Sequence, residues 1–166
     1  MAFMYNSLAG NPSGTITRPD NTTGYTAGDV IGTAASATIA LADALNSSCP
    51  GAKFMVLSAK LEIRVASVPA GMAGFRCHLF NAAPADIADN APFNIAADDR
   101  SKYIGNFDFS TPIDRGATLT IGAENIGLCG ALASGSTTLY AILETLGAFT
   151  PTALAVKALS LVCVPL

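Results

Sequence analysis

From Lys53 to Ser67 the chain alternates strictly: Leu57, Ala59, Leu61, Ile63 and Val65 fall on one parity, with Ser58, Lys60, Glu62 and Arg64 on the other. A period of two sends successive side chains to opposite faces, so the segment reads as a half-buried β-strand with its apolar set inward and its charged set outward. A helix would scatter both sets around its circumference. Val68-Pro69-Ala70-Gly71 ends the strand with turn chemistry. Phe75, Cys77 and Leu79 then alternate with Arg76 and His78 in a second strand, which could pair antiparallel with the first.

The same pattern recurs in short pieces. Tyr103 to Phe109 puts Tyr103, Phe107 and Phe109 on one face, Thr118 to Ile121 makes a short strand, and Thr137 to Leu146 alternates Leu139, Ala141 and Leu143 with Tyr140 and Glu144. Ala153 to Val164 is apolar on both faces, which suits a strand buried between the sheet and something else, or one at a subunit contact. Val30–Ile31 and Thr38–Leu41 bring the total to about eight strands. The alanines of Thr38 to Leu45 also suit a helix, but Ile39 and Leu41 satisfy strand alternation and the segment is read as strand. Between Asn81 and Arg100 lies a long loop with Pro84, Pro92 and aspartates at 86, 89, 98 and 99, with room for one helical turn. Short strands separated by turn signals, without a convincing amphipathic helix, predict an all-β chain. Its expected form is an antiparallel β-sandwich, jelly-roll-like, with an extended N-terminal arm over 1–32 and a single sandwich domain over 33–166.

Composition bounds what such a domain can do. The 166 residues are 51% apolar and only 13% charged, against roughly 25% charged in ordinary soluble domains. That scarcity predicts apolar surface shared with another subunit. The net charge is −3, with Lys and Arg dispersed, so no basic stripe is available for nucleic acid. The N-terminal MAFMYNSLAGNPSG has neither a basic start nor a continuous apolar stretch, and no apolar run is long enough for a membrane helix. The expectation is therefore a protein that stays in the cytoplasm where it is made and uses neither nucleic acid nor membrane.

Candidate chemistry is sparse. His78 is the only histidine, and alternation sends it to the face opposite Cys77, so the two cannot form a nucleophile and base pair within their strand. It reads as a solvent or interface side chain. Asp98-Asp99, followed by Arg100, reads as a solvated loop whose charges satisfy one another or a neighbouring subunit. Asp86, Asp89 and Asn90 lack the ligand spacing of a calcium loop, and Gly127, Gly130 and Gly135 lack the Lys-Ser or Lys-Thr of a phosphate loop, so they read as turn glycines. Cys49, Cys77, Cys129 and Cys163 are too scattered for a zinc site and read as buried free thiols. No catalytic, cofactor-binding or metal-binding residue is assigned, and the chain is not read as an enzyme.

The segment from Thr15 to Gly32 holds Thr17-Arg18-Pro19, Thr23-Gly24-Tyr25 and Gly28-Asp29-Val30. This opening resembles that of a family of small structural proteins of tailed bacteriophages, and the likeness continues through Phe75 to Pro84 and Tyr103-Ile104-Gly105. The family's members usually carry Ala where this chain has Asp20 after Arg18-Pro19. The resemblance implies a virion protein, and the leading expectation is a capsid decoration or cement protein on the outer surface of the shell. Its partners would be the major capsid protein and its own copies, in a trimer by preference or a dimer. The alternative is a tail or surface adhesin for a host receptor or glycan, although the chain has no tryptophan to serve as a sugar platform. The arm is poor in periodic apolar residues, so Tyr5, Ile16, Arg18, Tyr25 and Asp29 are expected to contact a partner, with bonding to nearby backbone in Asx-turns as the equal alternative for the charged groups of Arg18-Pro19-Asp20 and Gly28-Asp29.

Overall fold

A computed structural model describes residues 9–45 and 51–166. The chain runs through β1 (Ser13–Thr17), β2 (Val30–Ile31), β3 (Ile39–Leu41), β4 (Lys53–Ile63), β5 (Phe75–Phe80), β6 (Tyr103–Phe109), β7 (Ile113–Asp114), β8 (Leu119–Ala131), β9 (Leu139–Thr145) and β10 (Val156–Pro165). These form two antiparallel sheets, one in the order β1-β10-β4-β8-β7 and the other β2-β9-β5-β6, with β3 also on β9. The all-β antiparallel sandwich is therefore present, with ten strands where about eight were expected. The pairing is nested: the first strand lies beside the last, the second and third beside the ninth, and the fourth beside the eighth. The ambiguous alanine-rich segment is strand at Ile39–Leu41, and the long loop carries its turn at Ala97–Asp99.

Phe54, Leu61, Phe75, Phe109, Leu139 and Leu159 meet between the sheets, each fully buried. From Ala59 to Ile63 the strict alternation decides the faces as expected, with Ala59, Leu61 and Ile63 inside and Lys60 exposed. Upstream the parity reverses. Phe54 and Val56 are inside, and Leu57 is 38% exposed. The cause is a bulge: β4 carries Leu57 as an extra residue, so Ser58 pairs with Val162 while Val56 pairs with Cys163. Facing it, β8 skips three residues between Glu124 and Leu128, where Asn125 and Gly127 adopt positive φ. An extra residue exchanges the faces of everything beyond it, which places Leu57 on the outside, against its own alternation pattern.

Three further expectations need correction. The first two long strands do not pair with each other, because β4 belongs to the first sheet and β5 to the second; the connection through Pro69 and Gly71 crosses the sandwich instead of closing a hairpin. Tyr103 lies on the face opposite Phe107 and Phe109. A bulge at Ile104 leaves Tyr103 paired with Phe80 while Gly105 pairs with Leu79, and Tyr103 joins a separate cluster on the outer face. Finally, no fold boundary lies at residue 32. Ser13 to Thr17 pair with β10 and Val30–Ile31 with β9, so 9–32 supplies strands to both sheets. Backbone hydrogen bonding along β10 and β9 outweighs the low apolar content of the segment.

The outer faces of the two sheets differ. Residues 81–100 fold back over the second sheet, where Val30, Ala37, Phe80 and Ile142 form a small cluster with Ile87, Phe93, Tyr103 and Tyr140 packed on it. The first sheet has no such cover from the described residues.

Candidate functional site

The resemblance segment is built into an ionic staple. Arg18 follows the end of β1, its side chain is wholly buried, and it forms an ion pair with Asp89 of the covering loop at 3.0 Å. Its Nε donates to the Tyr25 hydroxyl, which donates in turn to Asp89 Oδ1. One terminal nitrogen donates to the carbonyls of Asn21 and Thr152 at 3.1 and 3.2 Å, and the Gly32 amide donates to Asp89 Oδ1 at 2.8 Å. Every charged atom has a partner, which is the condition on which a buried pair is tolerated. Burial together with the Asp89 carboxylate pushes the Tyr25 hydroxyl well above its ordinary pKa. Asp29 accepts from the Thr26 amide at 2.6 Å and the Thr26 hydroxyl at 2.9 Å, holding the turn into β2.

Of the five residues expected to touch a partner, Tyr5 lies outside the described residues. Arg18 and Tyr25 are brought together, while Asp29 bonds Thr26 and Ile16 pairs with Lys157, and all four are buried in the fold of their own chain. Their chemistry is spent on joining β1, β2 and the covering loop. The missing piece at the level of sequence was Asp89, which reaches Arg18 across 71 positions; only its place in an over-long loop distinguished it.

His78 is also buried, contrary to the solvent or interface reading. It stands on the outer face of β5, with its ring stacked on Phe93 of the loop at 3.7 Å between centroids and 16° between planes. Nε2 lies 2.8 Å from Glu144 Oε2 and Nδ1 lies 3.2 Å from the Tyr103 hydroxyl. Beside them Arg76 makes a forked bond to Asp108, at 2.8 and 3.0 Å. Burial holds His78 below its ordinary pKa, with Glu144 pulling the other way. Cys77 faces the opposite side, as alternation requires, and burial pushes its thiol far up.

The loop charges are structural as well. Asp99 is buried, accepting from the Ala85 amide at 2.7 Å and from Lys102 Nζ at 2.7 Å. Those bonds hold its carboxyl below the usual range. Asp98 and Asp86 are exposed, and Asp89 is committed to Arg18. Among the described residues no three His, Cys, Asp or Glu side chains gather in a way that could hold a metal ion. Cys77 and Cys163 are buried free thiols, Cys129 is exposed, and Cys49 lies outside the described residues. Lys157 was missed altogether. It sits on the core side of β10, 2% exposed, and its amine reaches only the Ala155 carbonyl, at 3.4 Å. Burial, with help from the Arg18 charge, drops its pKa to about 7.

The outer face of the first sheet is open to solvent, as are the single apolar side chains Ile113, Leu154 and Leu166. At one end Met55, Leu57, Val162 and Val164 lie together, Leu57 and Val162 being 38% and 37% exposed. Cys129 is paired beside Met55. A hollow of about 480 Å³ opens among Met55, Leu57, Glu124, Asn125 and Val162. Toward the other end the floor is small and polar, with Thr15, Ala158 and Ser160 beside a Lys60–Glu62 ion pair of 2.8 Å. No helix among the described residues is long and apolar enough to cross a membrane. No family model matches the chain, and no curated protein matches its sequence.

Proposed function

We propose that this chain is a structural virion protein that decorates or cements a bacteriophage capsid, binding the major capsid protein across capsomer joints on the outer surface of the shell. The bare apolar end of the first sheet carries this reading: Met55, Leu57, Val162 and Val164 are lined up there by a bulge that turns Leu57 outward. Covering such a surface is worth about 25 cal/mol per Å² before ordering costs, so attachment needs no reaction. The phage context rests on the resemblance carried by Thr17-Arg18-Pro19, Thr23-Gly24-Tyr25 and Gly28-Asp29-Val30. Their use in an internal staple fits a scaffold motif better than a reactive one. The nested strand order supports the jelly-roll form of sandwich, and a trimer, or failing that a dimer, would share out the low charge of the chain. Mixing purified protein with shells that lack it tests the reading. Saturable co-sedimentation at a fixed ratio to the capsid protein is expected, and no binding at any concentration overturns it.

A second reading, an adhesin for a host receptor or glycan, draws on a polar hollow of about 300 Å³ lined by Pro19, Asn21, Thr23, Ala34, Asp89 and Asn90. Binding to host cells that is lost in Asn21→Ala, with shells left unbound, would favour it.

A further inference from the structure

The apolar end of the first sheet carries one carboxylate at its rim. Val162 of β10 pairs with Ser58 of β4, and Ser58 pairs in turn with Glu124 of β8, so Glu124 stands in the same row as Val162 and beside the outward Leu57. The next row, Val164, Met55 and Cys129, brings no ion pair. Glu124 is exposed and lines the hollow of about 480 Å³ together with Met55, Leu57, Asn125 and Val162. Its Oε1 leans over Gly122, where a Cβ would lie 3.8 Å from it, and the missing side chain leaves the carboxylate room to move.

Among the described residues no cation is paired with Glu124. Lys60, on the adjacent row, is bonded to Glu62 at 2.8 Å. Lys53 lies beyond Met55 at the start of β4, paired beside Ala131, two rows from Glu124. A purely aliphatic partner laid over Leu57 and Val162 would therefore strip water from a carboxylate and leave it without a counter-charge, which cancels much of what the apolar contact contributes. An acidic partner would add repulsion. A side chain with an aliphatic stem and a cationic head avoids both costs, because the stem covers the apolar floor while the head meets the carboxylate in a charge-assisted bond.

We propose that the hollow beside Leu57 is a socket for a lysine or arginine side chain of the capsid protein, its stem lying on Met55, Leu57 and Val162 and its charged head paired with Glu124. This rests on the proposed reading of the bare face as the capsid-binding surface and adds the chemistry of the group that enters it. Attachment is then sensitive to salt although most of the contact is apolar.

Co-sedimentation with shells that lack the protein, repeated at rising salt, reads this. Glu124→Gln keeps the shape of the side chain and removes its charge, Glu124→Lys reverses the charge, and Asp98→Asn removes one charge from the loop over the second sheet as a control. Because Glu124 is exposed, Glu124→Gln is expected to keep the wild-type thermal transition, so that lost binding is read at the surface. At low salt Glu124→Gln should bind about tenfold more weakly and Glu124→Lys at least about a hundredfold more weakly, with Asp98→Asn within about twofold of the wild type. Wild-type affinity should fall more steeply with salt than that of Glu124→Gln. If Glu124→Gln binds like the wild type at every salt concentration while Leu57→Asp with Val162→Asp does not bind, the socket is overturned and the capsid-binding reading stands. Binding by that double variant equal to the wild type, or no binding by the wild type, overturns both. A dimer seen by light scattering, joined through this face and dissolved by Glu124→Lys, would make a second copy of the chain the occupant and overturn the assignment to the capsid protein.

Discussion

The two sheets carry their apolar outer residues in opposite ways. On the second sheet Phe80 and Ile142 are covered by the chain's own loop, through Ile87 and Phe93. On the first sheet Leu57 and Val162 stay more than a third exposed, with Met55 and Val164 partly so. Scattered exposed apolar residues are normal, whereas a contiguous group on a flat sheet face marks a contact surface. The covered face shows what this chain does with apolar surface that it keeps to itself. The bare face is the surface we propose is left for a partner, and the bulge at Leu57 builds it.

The covered side depends most on the ionic staple, so Asp89→Ala should bring the largest loss. It strands the wholly buried Arg18 and removes the acceptor used by Tyr25 and the Gly32 amide. A destabilisation of about 3–5 kcal/mol is expected in urea unfolding; a loss under about 1 kcal/mol would mean that the loop is not pinned there. Next is Lys157→Met, in the opposite direction. An amine held at about 7 in the fold and near 10.4 when unfolded costs the folded state its full penalty below pH 7, a penalty that shrinks as pH rises from 7 and vanishes above the unfolded value. The variant should gain on the order of 3 kcal/mol at pH 6 and progressively less toward pH 10. A gain that does not change with pH would assign the effect to packing alone.

The sandwich was legible because strands write their faces in a period of two, and Ala59 to Ile63, Phe75 to Leu79 and Leu139 to Leu143 kept it. The surface was not, because one extra residue reverses the faces without changing the pattern that a reader sees. Leu57 belongs by parity with Ala59 and Leu61, yet Val56 is the one that goes inside. Tyr103 was misread for the same reason, through the bulge at Ile104. The staple was hidden differently. Arg18, Tyr25 and Asp89 are polar residues in turn-rich segments, which usually signals solvent, and only the topology brings them together. Low apolar content made 1–32 look like an arm because backbone pairing on β9 and β10 leaves no hydropathy signal.

On the covered face, Phe93→Ala removes the ring stacked on His78 while leaving the Arg18–Asp89 and Lys102–Asp99 pairs in place. A loss of about 2 kcal/mol is expected, below that of a fully buried phenylalanine because this ring is only partly enclosed. A loss equal to that of Asp89→Ala would mean that the loop has no separate middle section. Smallest in stability is the double change Leu57→Asp with Val162→Asp on the bare face. Both side chains already meet solvent, so the thermal transition should hold to within about 0.5 kcal/mol per site.

That same double variant tests the central claim. Purified wild-type and variant proteins are mixed with shells lacking the protein, and the bound fraction is measured by co-sedimentation across a concentration series. The account predicts saturable binding by the wild type and, for a variant with an unchanged thermal transition, binding weakened by at least about a hundredfold. Two carboxylates would have to be desolvated in the contact. Equal binding by the two proteins would contradict the account and show that the bare face of the first sheet is not the surface that meets the capsid.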